Sequence, residues 1–368
     1  AVFNKYAGIY YAGPGVVKLE NSLIRWMCKI IDYPDTALGN LTSGGSIATL
    51  TAIATARDSK GITSKNVQRS VIYITEQAHH SVDKALRIAG LNEAHLRYIP
   101  VDENFRMNTA ELKQQIKEDI QNNLIPFLIV SSAGTTDTGA IDPLDSISDL
   151  AEEYNMWHHC DAAYGGFFIL LNEHKLKFKG IERSDSVTID PHKGLFLSYG
   201  TGAILIKDVE ALNATHRYQA NYMQDKIETV HEPSPADLSP ELTKHFRGLR
   251  MWVSLKLFGL NTFKAALEEK ILLTHYFYEE IQKIGFETGP FPDLSVMIYR
   301  FVPEGKDANE FNLQLIDEVK NDGTVFLSST KIDSIVWLRL AVLSFRTRLS
   351  TIDYTINILE KTVKKLQD

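Results

Sequence analysis

The sequence predicts an α/β chain: a mostly parallel sheet with helices between its strands, followed by a smaller α+β unit. Three features predict it. Short β-branched or aromatic runs alternate with longer stretches of helical period, which is the pattern of βαβ units. A polar, proline-rich stretch over 219–240 interrupts that alternation. Beyond about residue 262 the order changes to helix, strand, helix, two strands and helix.

In chain order the strands are expected at 71–75, 96–100, 126–133, 156–162, 186–190 and 202–207. Helices at 46–59, 80–89, 109–122 and 146–154 lie among them. Right-handed crossovers then bring the C-terminal ends of the strands to one edge, where open sheets bind ligands. The 219–240 stretch predicts a mobile loop. A helix over 240–260 carries Leu242, Phe246, Leu249, Trp252, Val253 and Leu257 on one face. The second unit reads as a helix over 262–284, a strand over 295–301, a helix over 308–322, strands over 324–328 and 335–342, and a helix over 351–366. The expected division is a large domain, 1–260, and a small C-terminal domain, 261–368.

Length and charge bound the function. A chain of 368 residues suits two domains. A net charge of −7 argues against phosphate-backbone binding, so no nucleic-acid partner is expected. No run approaches the ~18 consecutive apolar residues of a membrane span. The first residues, AVFNKYAGIYYAGPG, lack the basic start and apolar core of a signal peptide. Two cysteines, Cys28 and Cys160, fit a reducing compartment. A cytoplasmic protein is expected.

Four stretches carry chemistry, all at strand ends or helix starts. Thr42-Ser43-Gly44-Gly45-Ser46 precedes an amphipathic helix, and free N–H groups there attract a phosphate. Ser46 either caps that helix or gives its hydroxyl to the anion. His79, in Gln77-Ala78-His79-His80-Ser81, offers a flat imidazole for stacking or proton transfer, or is simply structural. His158 and His159 do not make a metal site with it, because adjacent residues of a strand point to opposite faces. No metal is expected. Asp161 closes a buried-looking strand and is followed by Ala162 and Ala163, which leave room for something flat. It is either a turn cap or the partner of a cation. Lys193, in SVTIDPHKGLFLSYGTG, either snorkels to water or is a nucleophilic amine lowered in pKa by apolar neighbours. Together, an anion cradle, a ring-stacking group, an aspartate for a heterocyclic cation and an amine for an aldehyde meet the needs of pyridoxal 5′-phosphate.

The stretches TSGGSIATL, EQAHHSV, SSAGTTDTGAIDPL, HCDAAYGG, SDSVTIDPHKGL and DLSPELTKHFRGLRMW resemble the group II pyridoxal-phosphate-dependent decarboxylases. These include the aromatic L-amino-acid, histidine, glutamate and diaminobutyrate enzymes. The resemblance covers nearly the whole chain and implies the aspartate-aminotransferase-like fold (type I). It implies that Lys193 is the Schiff-base lysine, Asp161 the partner of the pyridine nitrogen, and Ala163 the small residue under the ring. His79 then stacks on the other face and joins the chemistry. Gly45 and Ser46 bind the phosphate, His192 lies near it, Thr136 lies near the ring, and Arg339 is linked to the substrate carboxylate. The implied reaction is loss of CO₂ from an amino acid to give an amine, in a homodimer whose active site lies at the subunit interface.

Three departures accompany the resemblance. Asp190 stands where many relatives have asparagine, and a carboxylate beside a phosphate would be repulsive. No tyrosine lies between Met223 and Pro240, where the family carries one thought to protonate the carbanion. The family's N-terminal arm, which wraps the partner subunit, lies ahead of the position matching residue 1. Alternatives are therefore an aldehyde synthase, an aldolase-type lyase, or a cofactor-binding homologue without turnover.

Overall fold

A computed structural model describes residues 4–217 and 232–367. The chain opens with α1 (Pro14–Ile30), β1 (Leu38–Thr42) and α2 (Gly45–Ser59), then β2 (Ser70–Ile74), α3 (Ser81–Ile88) and β3 (His95–Tyr98). Next come α4 (Thr109–Gln121), β4 (Ile125–Ser132), α5 (Leu144–Glu153), β5 (Trp157–Asp161), β6 (Ser186–Ile189), α6 (Pro191–Gly194), β7 (Gly202–Ile206) and α7 (Val209–His216). The remainder is α8 (Gly248–Phe258), α9 (Leu260–Lys283), β8 (Phe286–Thr288), β9 (Val296–Phe301), α10 (Ala308–Asp322), β10 (Ser328–Ile332), β11 (Ile335–Ala341) and α11 (Leu349–Gln367).

Seven strands form the first sheet, in the order β1-β7-β6-β5-β4-β2-β3. β2 to β6 run parallel, β7 is antiparallel to β6, and β1 is antiparallel to β7. β1 therefore points the same way as β6. The C-terminal ends of β1, β2, β4, β5 and β6 and the start of β7 all meet at one edge. The central strands are buried on both faces, as a helix-covered parallel sheet requires. The second sheet is antiparallel, in the order β10-β11-β9-β8.

The first sheet has an apolar core on each face and the second sheet has its own, with α9 packed into one of the first sheet's cores and into the second sheet's. Phe263, Leu267 and Ile271 pack into the former, and Leu273, Phe277 and Ile281 into the latter.

The structure departs from the sequence expectations at several places. α1, β1, α7 and β8 are not among the expected elements. β1 reads Leu-Gly-Asn-Leu-Thr, poor in β-formers, yet it is buried throughout. The helix expected over 240–260 begins only at Gly248, and its apolar face is not a core face: Leu242 and Leu257 are exposed. The strand expected over 324–328 is shifted to 328–332. Asp333 and Ser334 both adopt positive φ (48° and 67°), and this two-residue turn pairs Ile332 with Ile335 and sets the register. Residues 232–240, the end of the expected mobile loop, are packed. Glu232 pairs with Arg25 at 2.9 Å, the Ala236 N–H donates to the Gly8 carbonyl, and Asn40 donates to the Pro235 carbonyl. The rest of that stretch, from 219 to 231, lies outside the described residues.

His158 and His159 project to opposite sides of β5. His158 shares hydrogen bonds with Ser131 and Ser148, and His159 with Ser186. Burial pushes the His158 pKa down to about 3 and that of His159 to about 4. An unfolded histidine titrates near 6.5, so the unfolded chain binds more protons below that pH. The stability owed to neutral His158 is full above pH 6.5 and is lost as pH falls toward 3. In His158→Asn, the slope of unfolding free energy against pH between 6.5 and 4 should shrink by up to one proton, about 1.4 kcal/mol per pH unit. Urea unfolding at several pH values measures this, and equal slopes would refute it.

Candidate functional site

The shared edge of the first sheet holds a cavity of about 410 Å³. β1 leads into Ser43 to Ser46, β2 into Gln77 and His79, β4 into Gly134 to Thr136, and β5 into Asp161 to Tyr164. β6 leads into Asp190 to Lys193, and the approach to β7 adds Tyr199 and Gly200. Of the nine residues expected from sequence, Gly45, Ser46, His79, Thr136, Asp161, Ala163, His192 and Lys193 line this one cavity.

Arg339 is not among the lining residues. From β11 it donates to the carbonyls of Thr136 and Asp137 and to the Ser328 hydroxyl. Asp137 Oδ1 lies 3.9 Å from its guanidinium. These bonds tie the second sheet to the turn after β4.

The cradle at α2 is made of backbone. Gly44 precedes the helix, and no side chain caps its first N–H groups. A methyl added at Gly45 would lie 3.0 Å from Asp190 Oδ2 and 3.4 Å from Ala163 Cβ, so a larger residue would fill the cradle. Free N–H groups and the helix dipole make this turn attractive to an anion.

His79 is oriented by Ser81. The Ser81 N–H donates to His79 Nδ1 at 3.2 Å, and the Ser81 hydroxyl lies 2.7 Å from the same nitrogen. The neutral ring then carries its proton on Nε2. Burial lowers the His79 pKa, with Asp161 opposing and His80 and Lys193 adding to the fall. Asp161 Oδ1 accepts the Ala163 N–H at 3.0 Å, and Ala163 lines the cavity beside it. His192 Nδ1–H donates to the Thr201 carbonyl at 2.7 Å.

Lys193 differs from expectation in its surroundings. Its side chain is 33% exposed, and its Nζ lies 3.4 Å from Asp190 Oδ2. The neighbour that matters is thus a buried carboxylate rather than an apolar wall. Asp190, left without a role by the sequence, is part of the site.

Other lining residues went unnoticed. Ser81 follows His79 at the two-residue spacing that lets a backbone N–H reach the ring, so its signal was present. Tyr199 sits among glycines and packs on His192, with ring centroids 5.3 Å apart. Gln77, with a buried and unpartnered Oε1, carried no signal. Tyr164 accepts the Ser295 N–H at 2.8 Å and shares a second bond with its hydroxyl, a further link to the second sheet.

A family model for the pyridoxal-dependent decarboxylase conserved domain matches residues 3–289. The chain belongs to the pyridoxal-dependent decarboxylase family. It is 34% identical over 351 residues to an aromatic-L-amino-acid decarboxylase from Bacillus atrophaeus, covering 94% of this chain and 73% of that one. It is 29% identical over 376 residues to a phenylacetaldehyde synthase from Petunia hybrida, covering 95% and 74%. The crystal structure of mouse CSAD superposes with a TM-score of 0.89 at 27% identity, covering 98% of this chain and 78% of that one. Oryza sativa TDC, crystallised with PLP and tryptamine, shares the fold with a TM-score of 0.94 at 22% identity, covering 99% and 79%.

As a pyridoxal-dependent decarboxylase, the chain is an enzyme that uses pyridoxal phosphate. Its residues fit that group: a glycine cradle that a Cβ would fill, an amine, an imidazole, and a carboxylate whose neighbours are alanines. Among the described residues no cluster of histidine, cysteine and carboxylate could hold a metal, and no helix is long and apolar enough to cross a membrane.

The cradle is tight enough to test. A methyl at Gly202 would lie 2.6 Å from both Asp190 Oδ1 and Gly44 Cα. Gly202→Ala should cost about 1–3 kcal/mol of stability through overpacking and weaken pyridoxal phosphate binding. Gly15→Ala, whose methyl meets nothing, should leave binding unchanged. Fluorescence titration with the cofactor and thermal melts measure both, and equal affinities would count against the cradle.

Proposed function

We propose that the chain decarboxylates an L-amino acid to its amine and CO₂, with Lys193 as the amine that joins the cofactor aldehyde. The observation that carries this reading is the single cavity shared by Lys193, Asp161, His79 and the uncapped start of α2. Bound pyridoxal phosphate supplies an electron sink for the charge left when CO₂ departs. Gly45 and Ser46 hold the phosphate, with His192 beside it. Asp161 keeps the ring nitrogen protonated, and Ala163 leaves space for the flat ring. His79 stacks on the opposite face, with Nε2–H free to donate because Nδ1 is held by Ser81. Thr136 lies beside the ring. Arg339 serves the substrate carboxylate through the turn whose carbonyls it holds.

For the substrate we propose an aromatic L-amino acid, supported by the similarity to aromatic-L-amino-acid decarboxylases. A second reading, aldehyde synthesis, is supported by similarity to phenylacetaldehyde synthases and by the absence of tyrosine between Met223 and Pro240. Product analysis separates them across the proteinogenic amino acids plus diaminobutyrate. CO₂ and amine in equal amounts are expected. Aldehyde, ammonia and peroxide would replace the first reading with the second. Lys193→Ala should abolish both turnover and the visible absorbance of lysine-linked cofactor. Absorbance unchanged in that variant would refute the assignment of Lys193.

We further propose that the enzyme works as a homodimer. Support comes from Leu257 and Phe258, 72% and 62% exposed on α8, with Trp252 of the same helix also exposed. Light scattering should give twice 41.5 kDa, and Leu257→Glu should shift the population to monomer. A monomeric wild-type chain would overturn this.

A further inference from the structure

Asp190 has no part in the roles above, yet its carboxyl group is buried against the cradle. It is 1% exposed. Oδ2 lies 3.4 Å from Lys193 Nζ and 3.6 Å from His192 Nε2, while Oδ1 has no hydrogen-bond partner. Both oxygens face glycines: a methyl at Gly45 would meet Oδ2 at 3.0 Å, and one at Gly202 would meet Oδ1 at 2.6 Å. The same Gly202 methyl would lie 2.6 Å from Gly44 Cα. The unpartnered oxygen is thus aimed at the residues that open α2, where the N–H groups have no cap.

A phosphate held by that turn would lie beside the Asp190 carboxylate, and two anions so close raise each other's proton affinity. We propose that Asp190 carries a proton whenever a phosphate monoester is bound at the start of α2, so that cofactor capture takes up one proton at this carboxyl. The protonated group also resolves the orphaned oxygen. A carboxylic O–H donates to a phosphate oxygen where a carboxylate would repel it. Asp190 is then a positioning residue: it fixes the phosphate from the β6 side without adding charge.

The charged and titratable groups around Asp190 are few. Lys193 and His192 come from its own helix, Asp161 from the end of β5, and His79 lines the same cavity. The walls from α2 and β7 present Gly44, Gly45 and Gly202. Burial raises the Asp190 pKa most, Lys193 and His192 oppose, and Asp161 adds to the rise. A phosphate raises it further. Affinity for phosphate is therefore greatest at low pH and falls as pH climbs from the carboxyl's free-state pKa to its bound-state value.

This inference rests on the reading of the cavity as the pyridoxal phosphate site. Pyridoxamine 5′-phosphate, which lacks the aldehyde and cannot be joined to Lys193, is the probe. Calorimetry in buffers of different ionisation enthalpy counts the protons taken up on binding. The wild type should take up as much as one proton more than Asp190→Asn. Near pH 8 the variant should bind on the order of tenfold more tightly, with the gap closing as pH falls. Pyridoxamine without its phosphate should bind both proteins with equal proton counts. Equal proton counts for the phosphorylated probe, or an affinity ratio independent of pH, would overturn the proposal. No binding to either protein would overturn the reading of the cavity and the proposal with it. A second measurement uses the wild type alone, with carbon-13 in its aspartate carboxyls. The carboxylic-acid C=O stretch should appear in infrared difference spectra on adding pyridoxamine 5′-phosphate, and its absence would sink the assignment even if the variant fails to fold.

Discussion

Strand β1 lies so close to β7 that Gly39 can carry no side chain, since a Cβ there would stand 1.8 Å from the Ile204 carbonyl oxygen. The rest of the site depends on that approach. Because β1 is antiparallel to β7, and β7 to β6, its chain leaves the sheet at the same edge as β4, β5 and β6. Thr42 to Gly45 therefore arrive beside Asp190 and Ala163, and α2 starts with its free N–H groups in the cavity. Had β1 paired in the opposite sense, the cradle would have opened on the far side of the sheet from Lys193.

Holding β1 in place requires burying charge. Lys244, fully buried, donates to the Asn40 side chain and to the Leu41 carbonyl. Burial lowers its pKa to about 8, with Glu20 and Glu241 opposing. Glu20 accepts the Gly248 N–H at 2.8 Å, and burial raises its pKa against the pull of Lys244. Two buried opposite charges near each other add little net stability, but removing one leaves the other uncompensated. The segment from 232 to 247 is thereby clamped to β1 and α1, which explains why residues that look like loop in the sequence are packed.

Strand ends and helix starts were legible because they follow from period and punctuation. His79, Asp161 and Lys193 stood out since each follows an apolar run that reads as a strand, whereas Thr136, His192 and the place of Ala163 under the ring came from the resemblance. What was not legible depended on partners distant in sequence. β1 is a strand because β7 and the Lys244 segment supply its bonds, not because of its own residues. The apolar residues of the 240–260 stretch looked like a core face, since periodicity reports amphipathicity and not what covers the apolar side. Asp190 is the sharpest case. Its oxygens are framed by Gly45 and Gly202, from opposite ends of the large unit, and no local pattern could show that a carboxylate had been fitted between them.

The second sheet reaches the cavity without lining it. Arg339 on β11 holds the carbonyls of Thr136 and Asp137, and Ser295, just ahead of β9, is bonded twice to Tyr164. A methyl at Gly139 would strike the Val296 carbonyl at 2.9 Å, so the turn after β4 packs directly on β9. A guanidinium held by neutral carbonyls, with a carboxylate no nearer than 3.9 Å, keeps most of its charge uncompensated. Burial lowers the Arg339 pKa, with Asp137 opposing. An anion arriving at the Thr136 side of the cavity would gain from that charge across the turn, even without touching the arginine.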